Sequence, residues 1–219
     1  MRAPFPPERV IPKDLAAAVA TIPYWFVIGG HAVRCFCPYR PTQDVHFGVD
    51  TPANLEDMLA QLAIRGKVEV SERSAGTVHL KWQGIDVSIF VLDTLKPHTE
   101  ARRLTVTGIL GTKLHAILDR GTRRDFFDLY VMLQDQGLGL AECLSAMRTL
   151  HAEGVPEPLL LRALTFFDDA EREAPLPKEG KDDWATVKDF FLTRVGSLLV
   201  PPTQKLTIQA NVVDLKPEG

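Results

Sequence analysis

Long apolar runs are missing from this chain, and so is any strong excess of charge. No stretch approaches the ~20 consecutive apolar residues of a membrane span. The opening Met1-Arg2-Ala3-Pro4-Phe5-Pro6-Pro7 lacks the apolar core of a secretion signal. The expectation is a cytoplasmic protein without a membrane partner. A formal net charge of −3 removes the global electrostatic case for nucleic-acid binding and leaves only local basic patches. Cysteine is scarce: Cys35, Cys37 and Cys143 are an odd set with no CxxC pair. They read as structural thiols in a reducing compartment rather than as a disulfide framework or a zinc site. The six histidines include no HExxH spacing, and neither a P-loop nor a nucleophile elbow occurs. Internal repeats and low-complexity tracts are lacking too.

What is present is a globular composition, 45% hydrophobic and 24% charged over 219 residues, enough to bury a core without staples. The proline-rich first dozen residues read as an arm, and Pro12-Lys13-Asp14-Leu15 opens an alanine-rich helical stretch through Ala20. Tyr24-Trp25-Phe26-Val27-Ile28 reads as a buried strand stopping at a Gly29-Gly30 turn, with a helix from His31 to Phe36 behind it. Asp44–Val49 alternates as a half-buried strand does. A helix over Pro52–Ile64 follows, then strands over Lys67–Glu72, Thr77–Trp82 and Ile85–Leu92, the last two joined by a Gln83-Gly84 turn.

The second half carries helical periodicity over Ile109–Arg120, Arg123–Gln136, Leu140–Glu153, Glu157–Glu173 and Trp184–Leu199. Leu206–Val213 is a candidate edge strand. The expected organisation is an α/β (α+β) core with a small mixed sheet over residues 1–108, a helical bundle over 109–200 and a tail over 201–219.

Strand, Gly-Gly, helix, then an acidic strand is a chemically specific order. Glycine lets a phosphate approach the backbone, and the following helix offers free N–H groups and the positive end of its dipole. On a strand, residues i and i+2 point the same way, roughly 6–7 Å apart. Asp44 and His46 would therefore face one metal ion or a pair, with Asp86 on a neighbouring strand as a third ligand. Carboxylates plus phosphate oxygens suit Mg²⁺ and in-line attack at phosphorus. Read singly, a Gly-Gly is a turn and a strand aspartate a solvated group; their order and spacing raise the functional reading.

Val27-Ile28-Gly29-Gly30-His31-Ala32, followed by Arg40-Pro41-Thr42-Gln43-Asp44-Val45-His46-Phe47, resembles the signature of AbiEii-type nucleotidyltransferases, toxins of abortive-infection and toxin–antitoxin systems. Their later block, a lysine followed by an Arg-Asp-x-x-Asp helix, is similar to Lys113 through Arg120 and Arg124-Asp125-Phe126-Phe127-Asp128. The resemblance spans residues 24 to about 135 and implies a nucleotidyltransferase core. It implies that Gly29 and Gly30 hold the triphosphate of an NTP, joined by Arg40 and Thr42, and that Asp44 binds Mg²⁺. It implies that Asp86 activates the attacking hydroxyl, that Lys113 contacts phosphates, and that Asp125 completes the pocket. For Lys113 and Asp125, the plain alternative is a salt bridge between helices. The implied acceptor is RNA, such as a tRNA end, or a protein, with a cognate antitoxin as partner.

One departure stands out. Where the family has Asp-x-Asp, this chain has Asp44-Val45-His46. Histidine is a poorer Mg²⁺ ligand than carboxylate. Asp50 is no substitute, because six strand residues span about 20 Å. The outcomes left open are a one-metal enzyme, a preference for Mn²⁺, or a module that binds nucleotide without turning it over. A small-molecule nucleotidyltransferase of the antibiotic-modifying kind is a further alternative. Arg102-Arg103 and the Arg120–Arg124 cluster could grip an RNA acceptor, or be plain helix-face charges.

Overall fold

A computed structural model describes residues 3–151 and 154–199. Its sheet is built from β1 (Phe26–Val27), β2 (Val45–Val49), β3 (Val68–Arg73), β4 (Thr77–Trp82), β5 (Ile85–Val91), β6 (Thr99–Glu100) and β7 (Arg103–Leu104). The spatial order is β3-β4-β5-β2-β1-β7-β6. The sheet is mixed: β2 runs parallel to β5 and β1 to β7, and the other pairings are antiparallel.

The two-residue side-chain period sets which face carries chemistry. Val45, Phe47 and Val49 pair across from Val87, Ile89 and Val91, and all but Val91 are buried. His46 pairs with Ser88 on the other face. Helices α1 (Lys13–Val19), α2 (Gly29–Phe36) and α3 (Pro52–Arg65) accompany the sheet. The start of α3 is fixed by Thr51, whose hydroxyl accepts from the Asn54 N–H, and by a proline in its first turn. Its Leu55, Met58 and Leu62 are buried. At the β4–β5 hairpin, Gln83 and Gly84 both have positive φ, as a tight two-residue turn requires.

Beyond the sheet come α4 (Val106–Asp119), α5 (Arg123–Gln136), α6 (Leu140–Leu150), α7 (Glu157–Ala163), α8 (Asp168–Glu171) and α9 (Asp183–Leu199). Gly111 lets α4 approach α6 closely: a Cβ there would sit 2.8 Å from Leu150 and 3.2 Å from the Ala146 carbonyl. Phe126 of α5 packs against Phe167, Trp184 and Phe191, which ties α9 to the core. Among the described residues no helix is long and apolar enough to cross a membrane.

Several sequence expectations are corrected. β1 is only Phe26–Val27, because Trp25 leaves the ladder to donate its indole N–H to the Val19 carbonyl at 2.9 Å. The N-terminal segment is packed rather than a free arm: Phe5 N–H donates to Cys35 O at 2.7 Å, and Val10 and Ile11 are buried. The helix expected over Glu157–Glu173 is split into α7 and α8. β6 and β7 are additions at the far edge, too short to carry a period. The candidate strand Leu206–Val213 lies outside the described residues. All three cysteines are free and buried, and burial pushes the Cys35 and Cys37 thiols up to about 12.

The antiparallel β1–β2 register sets Phe26 opposite Gly48, where a Cβ would fall 2.4 Å from the Phe26 ring. Gly48→Ala is expected to cost about 1–3 kcal/mol through overpacking. It should lower the urea midpoint while leaving the m-value unchanged.

Candidate functional site

Gly29 opens α2 with φ +61, a backbone that L side chains rarely adopt. A Cβ on Gly30 would press against Thr42 at 3.0 Å and Arg40 at 3.2 Å. The absence of side chains therefore keeps a shallow cradle open at the N-terminus of α2, where the first N–H groups have no partner inside the helix. A small cleft of about 40 Å³ lies at this cradle. Gly29, Gly30, Arg40, Thr42, Asp44, His46 and Lys113 line it, and so do Arg120 and Arg124.

The wall opposite the cradle is held by buried charge. Asp128, on α5, accepts from Arg40 Nη2 at 2.9 Å, from Arg40 Nε at 3.1 Å, from Tyr39 OH at 2.5 Å and from Lys113 Nζ at 2.6 Å. Asp125, one turn earlier, accepts from Lys113 Nζ at 3.1 Å, from Arg120 Nε at 2.9 Å, and from the Thr122 hydroxyl. Burial alone would raise the pKa of both carboxyls, but Lys113 together with Arg40 or Arg120 holds them below the usual carboxylate range. Both are therefore anions at neutral pH. Arg124, exposed on α5, takes no part in these bridges.

On the sheet side, His46 Nε2 lies 3.1 Å from Asp44 Oδ2. That hydrogen bond, against the opposing effect of burial and with help from Arg124, keeps Asp44 ionised. Directly behind, His31 is buried with its Nδ1 lacking a hydrogen-bond partner. Burial, then Arg34, pushes its pKa down to about 4.

The structure thus brings together Gly29, Gly30, Arg40, Thr42, Asp44, His46 and Lys113. Two other expected residues stand differently. Asp125 is 0% exposed and sits behind Lys113 and Arg120, so it positions those cations rather than completing the pocket surface. Asp86 lies on the same sheet face as His46 but outside the cleft lining; it is 61% exposed and pairs with Lys81 across the β4–β5 ladder at 2.9 Å. Asp44 and His46 meet in the cleft, while Asp86, one residue before the Val45–Val87 rung that Asp44 also borders, lies beside its lining. Among the described residues no three His, Cys, Asp or Glu side chains converge to hold a metal ion.

The donors present suit one hard cation at most. Asp44 is ionised and accessible, and Mg²⁺ is commonly held by one or two carboxylates with phosphate oxygens and water. A two-ion carboxylate site is not supported by this donor set. Arg120 and Arg124 carry two sequence signals, a basic cluster and the Lys113–Asp128 block, whereas Tyr39 and His31 carry none that points to the site. The latter two are defined by contacts distant in sequence.

Three comparisons bear on this geometry. The family model for the nucleotidyl transferase AbiEii toxin of type IV toxin–antitoxin systems matches residues 64–199, more than half of the chain. The match includes the α4–α5 block and leaves Gly29-Gly30 and Asp44 outside it. A solved structure from H. pylori, provisionally described as a nucleotidyltransferase, superposes with a TM-score of 0.51 at 15% identity, covering 88% of this chain and 94% of that one. That likeness concerns the fold. An uncharacterised Aquifex aeolicus protein (strain VF5), aq_aa25, is 26% identical over 87 residues, which span 40% of this chain and 41% of the relative's length.

Removing Asp128 would leave Arg40 and Lys113 short of a buried partner, so Asp128→Ala is expected to cost about 3–5 kcal/mol in urea unfolding. His31 gives a pH dependence. Between its ordinary 6.5 and about 4, the unfolded chain takes up a proton that the fold refuses. Stability should therefore fall as pH drops through that window. His31→Gln should flatten the slope of urea midpoint against pH from 6.5 to 4; an unchanged slope would rule out this origin.

Proposed function

The chain belongs to the AbiEii nucleotidyltransferase toxin family, and from that premise we propose that its cleft takes the triphosphate of an NTP and passes the nucleotide to an acceptor hydroxyl. The acceptor class proposed is RNA, such as a tRNA end, or a protein, with a cognate antitoxin as the controlling partner. The observation that carries this reading is the meeting of a glycine cradle with four cations from three separate segments, Arg40, Lys113, Arg120 and Arg124, around one ionised carboxylate. A surface built from guanidinium forks and free N–H groups suits phosphate oxygens.

In the proposed reaction the acceptor oxygen bonds to the α-phosphorus, the bridging P–O bond to the β-phosphate breaks, and pyrophosphate leaves. The chain's own part is to hold and orient. The cradle and Arg124 grip phosphates, while Asp125 and Asp128 fix Lys113, Arg40 and Arg120 so that little reorganisation is needed. The hydroxyl proton goes to a base, and Asp86, bordering the same rung as Asp44, is proposed for that role. A single Mg²⁺ or Mn²⁺ on Asp44 would supply charge neutralisation on the phosphates.

A second reading has its own observation. His46 stands where the family's second carboxylate would be and is already engaged with Asp44, which favours a module that binds NTP without turnover. Incubation with each α-labelled NTP, Mg²⁺ or Mn²⁺ and total RNA separates the two. Transfer of label that disappears in Asp44→Ala supports the enzyme. Asp86→Ala should likewise lower transfer, since Asp86 borders the same β2–β5 rung as Asp44 and is the carboxylate proposed to activate the hydroxyl. Arg124→Ala should weaken NTP binding by about tenfold, the loss of one charge-assisted contact. Measurable NTP binding without transfer to RNA, protein or aminoglycoside, and activity gained by His46→Asp, would establish the binding module instead.

A further inference from the structure

Arg120 has two sides. One faces the cleft and is fixed by Asp125 through Nε at 2.9 Å and Nη2 at 3.2 Å. Its side chain nevertheless stays 49% exposed, and it also forms part of the wall of a second hollow of about 210 Å³. That hollow lies between the end of α4 and the α7–α8 segment, with Ile117, Leu159 and Phe166 as its apolar surface. The two spaces thus share Arg120 as a wall residue.

The chemistry of the second hollow differs from that of the first. Its charged members are Asp119, Arg120, Arg162 and Asp169, two of each sign, and Arg120 is already matched by Asp125. Unlike the cleft, it has no cationic surplus to attract phosphate. Its apolar part includes Phe166, 46% exposed, the one aromatic among the exposed large hydrophobic side chains of the described residues. An exposed aromatic ring in a hollow without cationic surplus, with donors and acceptors on its walls, suits a flat, uncharged, hydrogen-bonding ring. The volume is below the roughly 300–1,000 Å³ of drug-sized pockets and suits one such ring system rather than a larger ligand.

We propose that this hollow seats the base of the same nucleotide whose phosphates occupy the cleft, with Phe166 as its stacking surface and Arg120 dividing base from phosphates. Arg162, Asp119 and Asp169 then present the groups that tell one base from another. The proposal rests on the reading of the cleft as a triphosphate site, and it adds the element that selects the nucleotide.

The test compares two ligands by calorimetry on the full chain: each of the four NTPs, and inorganic tripolyphosphate, which has the phosphates without the base. The NTP preferred by the wild-type protein should bind more tightly than tripolyphosphate. Phe166→Ala should weaken that NTP by about tenfold, in keeping with one lost base–aromatic stack, and leave tripolyphosphate unchanged. Phe166→Tyr should restore NTP binding, which separates stacking from damage to the fold. Arg162→Ala should narrow the differences among the four NTPs. The assignment is overturned if Phe166→Ala leaves NTP affinity intact, if NTP and tripolyphosphate weaken together, or if no NTP outbinds tripolyphosphate. Failure of the cleft reading has a different signature: neither ligand binds, and the base site falls with it.

Discussion

The buried Asp128 carboxylate is the anchor on which the site depends. It takes Arg40 from the loop that precedes β2 and Lys113 from α4, so three segments far apart in sequence converge on one anion. Lys113 is 6% exposed and is shared with Asp125, which in turn holds Arg120. Burying any one of these charges alone would be costly. Together they satisfy one another, and the remaining cationic edge faces the Gly29-Gly30 cradle. Folding and site assembly are therefore the same event at this place.

Much of this was readable from the chain. Gly29-Gly30 after an apolar run, the alternation around Val45 and Phe47, and the helical spacing of Lys113 and Arg124 through Asp128 are local patterns, and local patterns carry their own physics. The sheet and the helical half followed from them. The plain alternative for Lys113 and Asp125, a salt bridge between helices, also describes what is seen. Lys113 lines the cleft as well.

What stayed hidden depended on pairing across space. Asp86 has the right spacing along its strand, but only the ladder reveals that Lys81 stands opposite it as an exposed partner. Trp25 belongs to a strand-like run, yet its indole needs an acceptor and finds one in the helix before it. β6 and β7 contain two residues each, less than one full period of alternation. The depth of Asp125 within the helical half could not be read from its polar character, since acidic residues are seldom fully buried. His46 was visible as a departure, while its bond to Asp44 was not.

The Asp128 bridge has an energetic meaning as well. Arg40 belongs to the sheet half and Asp128 to the helical half, so swinging the two apart to admit a ligand would strip a buried ion pair of its partner. Parting them would cost about 3–5 kcal/mol, the penalty for breaking a buried pair. The same carboxylate that shapes the cleft thus couples its geometry to the stability of the whole chain.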